Sequence, residues 1–256
     1  VQNASERAET WVLVERITRV KLRAFALLCA SVFFVGCPSN AATPATEGAS
    51  RSELLAEWNA LRGDGYELDS IERHVEPSRS RKVRCTQEGL VLYRGETVRY
   101  QSAVTVNPAF RERLRRFESV VAEVATEFYG RAPRRIQHYG AYSCRTSRNR
   151  SYRLSEHALG NALDVVGFDF GPLGKKDPAF EAQPKPLRAP FNIRVARHWG
   201  KAGDPVAETH ARFLRVLTQR LLERGDIFRG VVGPGYPGHD DHLHFDVAPW
   251  RYVRLG

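Results

Sequence analysis

The chain of 256 residues has no methionine, four cysteines, no apolar run longer than residues 24–35 and no internal repeat. The missing methionine fits a non-ATG start or an over-extended amino terminus, because Val20-Lys21-Leu22-Arg23 is by itself an adequate start for a signal. The want of a long apolar run sets aside membrane-spanning bundles, since residues 24–35 are too short to cross a bilayer comfortably. A chain of this length can bury a sizeable core, so few cysteines are no handicap. Without repeats there is no case for a solenoid, and without regular βαβ alternation there is none for a doubly wound sheet. No Ser-His-Asp spacing singles out a nucleophile.

What is present begins with export. Residues 24–35 are uncharged, follow Arg19, Lys21 and Arg23, and read as a signal-peptide core. Phe34-Val35-Gly36-Cys37 resembles the bacterial lipobox, with Phe34 in place of the usual Leu and Cys37 as the residue to be lipidated. An ordinary secretory signal cut near Ala41 and Ala42, or an uncleaved anchor, are the alternatives. Residues 1–37 are therefore assigned to the signal. Residues 38–50 are small, polar and Pro-containing, and form a flexible tether. Residues 51–256 are assigned to one domain. The expected location is the cell envelope, periplasmic and lipid-anchored to a membrane.

Cys29 leaves with the signal and Cys37 carries lipid, so Cys85 and Cys144 remain. An oxidising compartment favours one disulfide between them, with two buried free thiols as the alternative. The formal net charge is +10. In a cytosolic protein that would raise nucleic acid as a partner; behind a signal it suits an anionic wall polymer or membrane surface, and nucleic acid is set aside.

Along the domain, Leu54, Leu55, Trp58 and Leu61 predict a short amphipathic helix. The runs 90–93 and 98–100 flank Arg94-Gly95-Glu96 and predict a hairpin. Asn107 and Pro108 open a long helix, with apolar residues from Phe110 to Phe128 at helical spacing and a stop at Gly130. A strand is expected over 135–142. Asp204 and Pro205 open a second long helix ending near Gly225, before buried strands at 227–232 and 243–247. The class is α+β, a small mostly antiparallel sheet flanked by helices.

Two clusters carry chemistry. In Ser155-Glu156-His157-Ala158-Leu159-Gly160-Asn161-Ala162-Leu163-Asp164-Val165, Gly160 and Asn161 suggest a turn that brings His157 to Asp164, which lies at the start of a strand. In His239-Asp240-Asp241-His242-Leu243-His244-Phe245-Asp246, a strand from His242 would put His242, His244 and Asp246 on one face and Leu243, Phe245 and Val247 on the core side. Two histidines and one aspartate suit zinc and leave it an open position. Ser155 is expected to brace the turn and His239 to assist at the mouth of the site or in its surroundings. His74, His138, His198 and His210 have no motif context.

These motifs, with Tyr142-Ser143-Cys144-Arg145, Gly167-Phe168 and Gly233-Pro234, resemble the bacterial extensin-like C-terminal domain family. Its motifs are similar to those of zinc D-Ala-D-Ala carboxypeptidases and murein endopeptidases. The resemblance implies a zinc-peptidase-like fold, Zn2+ held by His157, Asp164 and His244, and a general base that is either His242 or Asp241. It places Arg145 where related peptidases bind a substrate carbonyl or carboxylate; a solvated basic loop with Arg148, Arg150 and Arg153 is the other reading. The function expected is exported zinc-dependent hydrolysis of peptide bonds in peptidoglycan. The alternative is a non-catalytic wall-binding lipoprotein on the same fold. The segment 171–192 is taken as a specificity loop.

Overall fold

The computed structural model describes residues 85, 87–147, 150–201 and 203–256. The segments expected as signal and tether, Cys37, the helix predicted around Trp58, and His74 lie outside the described residues, as does Arg148. Among the described residues no helix is long and apolar enough to cross a membrane.

The chain enters with β1 (Val91–Tyr93), β2 (Arg99–Tyr100) and β3 (Val104–Val106) and then the long helix α1 (Pro108–Tyr129). As expected, the Asn107 side chain accepts from the Ala109 N–H, Pro108 fills the first turn and Gly130 closes the helix in the left-handed conformation. β4 (Arg135–Gly140), β5 (Thr146–Ser147) and β6 (Arg150–Leu154) precede a one-turn 3-10 helix (Glu156–Leu159) and the long strand β7 (Ala162–Phe170). Short helices α2 (Lys185–Arg188) and α3 (Val195–His198) bracket β8 (Phe191–Arg194). The second long helix, α4 (Pro205–Glu223), is capped by the Asp204 carboxylate, and β9 (Gly230–Val232), β10 (Leu243–Asp246) and β11 (Tyr252–Arg254) follow.

The main sheet runs β11-β9-β10-β7-β4-β2, with β8 beside the far end of β7. The class is α+β as expected, but the sheet is mixed rather than mostly antiparallel. Its inner pairs are antiparallel, while β2–β4 and β11–β9 at the two edges are parallel. Parallel neighbours need a crossover rather than a turn. α1 lies in the connection between β2 and β4, and β11 reaches the free side of β9 because β10 already occupies the other.

The predicted hairpin does not form. β1 pairs with β3 and β2 with β4, so the two runs are strands of different sheets. The link between them is held by Glu118 of α1, a fully buried carboxylate. It accepts from the Tyr93 hydroxyl at 2.6 Å and from the backbone N–H groups of Glu96, Thr97 and Val98 at 2.9, 2.8 and 3.3 Å. Those amides are satisfied by a side chain rather than by a turn, so they do not close a hairpin.

One face of the sheet packs on α1 and α4. Leu163, Val165, Leu243 and Phe245 join Phe110, Phe117, Phe213 and Leu217 in one core, with the rings of Phe117 and Phe245 5.8 Å apart. Side chains alternate along a strand, so Asp164, His244 and Asp246 are delivered to the other face.

Candidate metal centre

The first ligand candidate comes from the turn read in the sequence. The Ser155 side chain accepts from the His157 N–H, as a cap rather than a nucleophile, and Gly160 ends the 3-10 helix at φ 67°. A Cβ at Gly160 would stand 2.8 Å from the Asn107 nitrogen, so this turn needs glycine on both conformational and steric grounds. β7 then carries Asp164 opposite His244 of β10 in antiparallel register.

Three ligand atoms converge. Asp164 Oδ1 is 3.2 Å from His157 Nε2 and 2.8 Å from His244 Nδ1, and the two ring nitrogens are 3.1 Å apart. These three residues form a group that could hold a metal ion. The outward nitrogens are occupied: His157 Nδ1–H donates to the Ala141 carbonyl at 2.9 Å, and His244 Nε2–H donates to Asp246 Oδ2 at 2.8 Å. Each imidazole is thereby oriented with one nitrogen toward Asp164. Burial pushes the Asp164 carboxyl up, but the hydrogen bonds from His157 and His244 prevail and hold it well below the usual range. Burial likewise opposes charge on His244, yet Asp164 and Asp246, one on each nitrogen, raise it to about 10.

A second carboxylate–imidazole pair stands beside the first. His242 Nδ1–H donates to Asp241 Oδ1 at 2.8 Å, and Asp241 Oδ2 accepts from the Tyr139 hydroxyl at 2.6 Å. Hydrogen bonds from His242 and Tyr139 lower the Asp241 pKa. His242 Nε2 lies 3.8 Å from Asp164 Oδ1, facing the three ligand atoms. The two residues taken from the sequence as competing bases are therefore one hydrogen-bonded unit.

All of this lines an open cleft of about 1230 Å³, with Tyr139, Arg145, Tyr236, Trp250 and Arg254 on its walls. Arg145 stands at the cleft, next to the disulfide that joins Cys85 to Cys144 as expected. The stretch read as a solvated basic loop contains the two-stranded β5–β6 sheet. The His239 ring lies 4.8 Å from that of His242, at the cleft wall, where burial lowers its pKa. The segment 171–192 does not line the cleft. It is held instead by Arg131, whose guanidinium donates to the carbonyls of Gly171 and Leu187. His138, His198 and His210 are buried and stand outside the cleft.

His157, Asp164 and His244, expected from the sequence to converge, do so in this geometry. Residues 66–174 match the family model described as extensin-like protein C-terminus. The extensin-like match includes Arg145, His157 and Asp164 and stops before His239, His242 and His244, whereas the motif resemblance runs on to Asp246. Comparison with curated proteins and with solved structures gave no match. Reasoning from the sequence missed Tyr139 and Tyr252 as carboxylate partners. Asp246 was legible as a residue of the same face, and its partners were not.

Proposed function

We propose that the chain is an exported zinc-dependent hydrolase of peptide bonds in peptidoglycan, anchored in the cell envelope through Cys37. The observation that carries this reading is the pairing of a buried His157–Asp164–His244 group with a His242–Asp241 dyad whose free ring nitrogen faces it. Two imidazole nitrogens and one carboxylate oxygen suit zinc, and their separations of 2.8–3.2 Å approach the roughly 3.3 Å edges of a tetrahedron with bonds of about 2.0 Å. Bound there, zinc would supply Lewis acidity, polarising a carbonyl and lowering the pKa of water to about 7.

The remaining chemistry belongs to side chains of this chain. His242 takes the proton of the attacking water on Nε2 and passes it to the leaving amine. Asp241 holds the His242 tautomer from the other nitrogen and stabilises the imidazolium as it forms. Arg145, on the cleft wall, meets the substrate carbonyl or carboxylate. Peptidoglycan stem peptides or cross-links are the substrate class. The motif likeness to murein peptidases supports this, as do an open cleft of a size to take a peptide and the reach of an envelope tether.

Purified sacculi incubated with zinc-loaded protein should release muropeptides, and His242→Ala should reduce release by about 100-fold or more. A zinc-loaded wild type that releases none would overturn the hydrolase and leave a wall-binding module.

A further inference from the structure

A chain of polar contacts runs from His244 along the cleft lining and reaches across β9 to β11. His244 Nε2–H donates to Asp246 Oδ2 at 2.8 Å; the Tyr252 hydroxyl donates to the same oxygen, and the Ala248 N–H donates to Oδ1 at 3.0 Å. Asp246 is 1% exposed, so its charge has little help from water and depends on these three donors. Tyr252 reaches it from β11 although β9 lies between β11 and β10. The register explains how: Asp246, Gly230 and Tyr252 lie in one row across the three strands. A Cβ at Gly230 would collide with Asp246 Oδ1 and stand 2.6 Å from both Asp246 Cγ and Tyr252 Cε1. The missing side chain of Gly230 is the gap through which the tyrosine and the carboxylate meet.

We propose that Asp246 and Tyr252, meeting over Gly230, are positioning residues that keep the His244 proton on Nε2 and so present Nδ1 to the metal. The proposal rests on the metal reading above but concerns residues that line no ligand position. An Asn at 246 would keep the shape and lose the function. Its oxygen would face the Ala248 N–H and its NH2 group would face His244 Nε2 and the Tyr252 hydroxyl; the hydroxyl can turn to accept, but the His244 Nε2–H would be set donor against donor. A neutral ring then gains by carrying its one proton on Nδ1, the nitrogen the metal needs. Tyr252→Phe removes one donor from the carboxylate and leaves the His244–Asp246 bond in place, so its effect is smaller and in the same direction.

The test is zinc affinity by competition with a chelator, together with 1H–15N correlation of the histidine rings in zinc-free and zinc-loaded protein. For wild type we expect a solvent-protected proton on His244 Nε2. Asp246→Asn should weaken zinc binding about 10–100-fold and remove that signal, and Tyr252→Phe should weaken it about fivefold and speed exchange of the proton. Wild-type affinity in Asp246→Asn, or an Nε2 proton unchanged in both variants, would overturn the proposal. If Asp246→Asn does not fold, Tyr252→Phe decides by the same two readouts. A wild type that takes up no zinc sinks the metal reading instead, and the ring-proton signal of the zinc-free protein then decides the positioning role alone.

Discussion

Two carboxylate–imidazole–tyrosine sets flank the same three ligand atoms and differ mainly in water. In the inner set, Asp246 is 1% exposed, His244 is buried, and Tyr252 arrives through a gap in the sheet. In the outer set, Tyr139 is 63% exposed and Asp241 is only partly covered, although His242 itself is buried. On the proposed reading the same three residue types do opposite things. A buried, fully satisfied carboxylate fixes its histidine in one orientation, which suits a ligand. A wetted carboxylate can stabilise a histidine that gains and loses a proton, which suits a base.

The comparison breaks most severely at its shared centre. Asp164→Ala removes the atom that both sets face and should abolish stoichiometric zinc binding, read by metal analysis after dialysis; retained zinc at unchanged affinity would sink the ligand assignment. The two carboxylates should then separate by kind of defect. Asp241→Asn is expected to lower the hydrolysis rate about 100- to 10,000-fold while leaving zinc affinity nearly unchanged. The inner Asp246→Asn acts on affinity, and finding both defects in either variant would erase the distinction between the sets.

Histidines without a carboxylate on the ring make a control. His210 packs against Tyr129 and the His198 ring, and burial with the nearby His198 lowers its pKa to about 4. The unfolded chain binds a proton near pH 6.5 that the folded chain refuses until about pH 4. Stability should hold above pH 6.5 and fall as the pH drops from 6.5 to about 4, by up to about 3 kcal/mol. His210→Phe should flatten this part of a melting-temperature profile. The smallest effect is expected from Tyr139→Phe, which leaves Asp241 its bond to His242 and should slow hydrolysis about fivefold without moving zinc affinity.

What could be read in advance was local. The Asn107–Pro108 start, the Gly130 stop, the Ser155-to-Asp164 turn and the alternation of His242, His244 and Asp246 depend on neighbours a few residues apart, and each is found as expected. The misses are long-range. Nothing near Val98 announces that its amide will be taken by Glu118, and nothing near Arg99 announces a parallel partner at Arg135. Asp246 could be placed on the ligand face, but Tyr252 belongs to a strand whose register depends on β9. The short strand β11 has no alternation long enough to be noticed, and the role of Gly230 is visible only as a collision that does not occur.

The buried Glu118 also bears on how the front of the domain assembles. The amides of Glu96, Thr97 and Val98 lie 20–22 residues from the carboxylate that receives them. They gain that partner only once α1 is docked, so this segment and the middle of the helix form or come apart together. Hydrogen exchange at those three amides should report the opening of the helix rather than local fraying, making them an internal gauge of the domain's cooperativity.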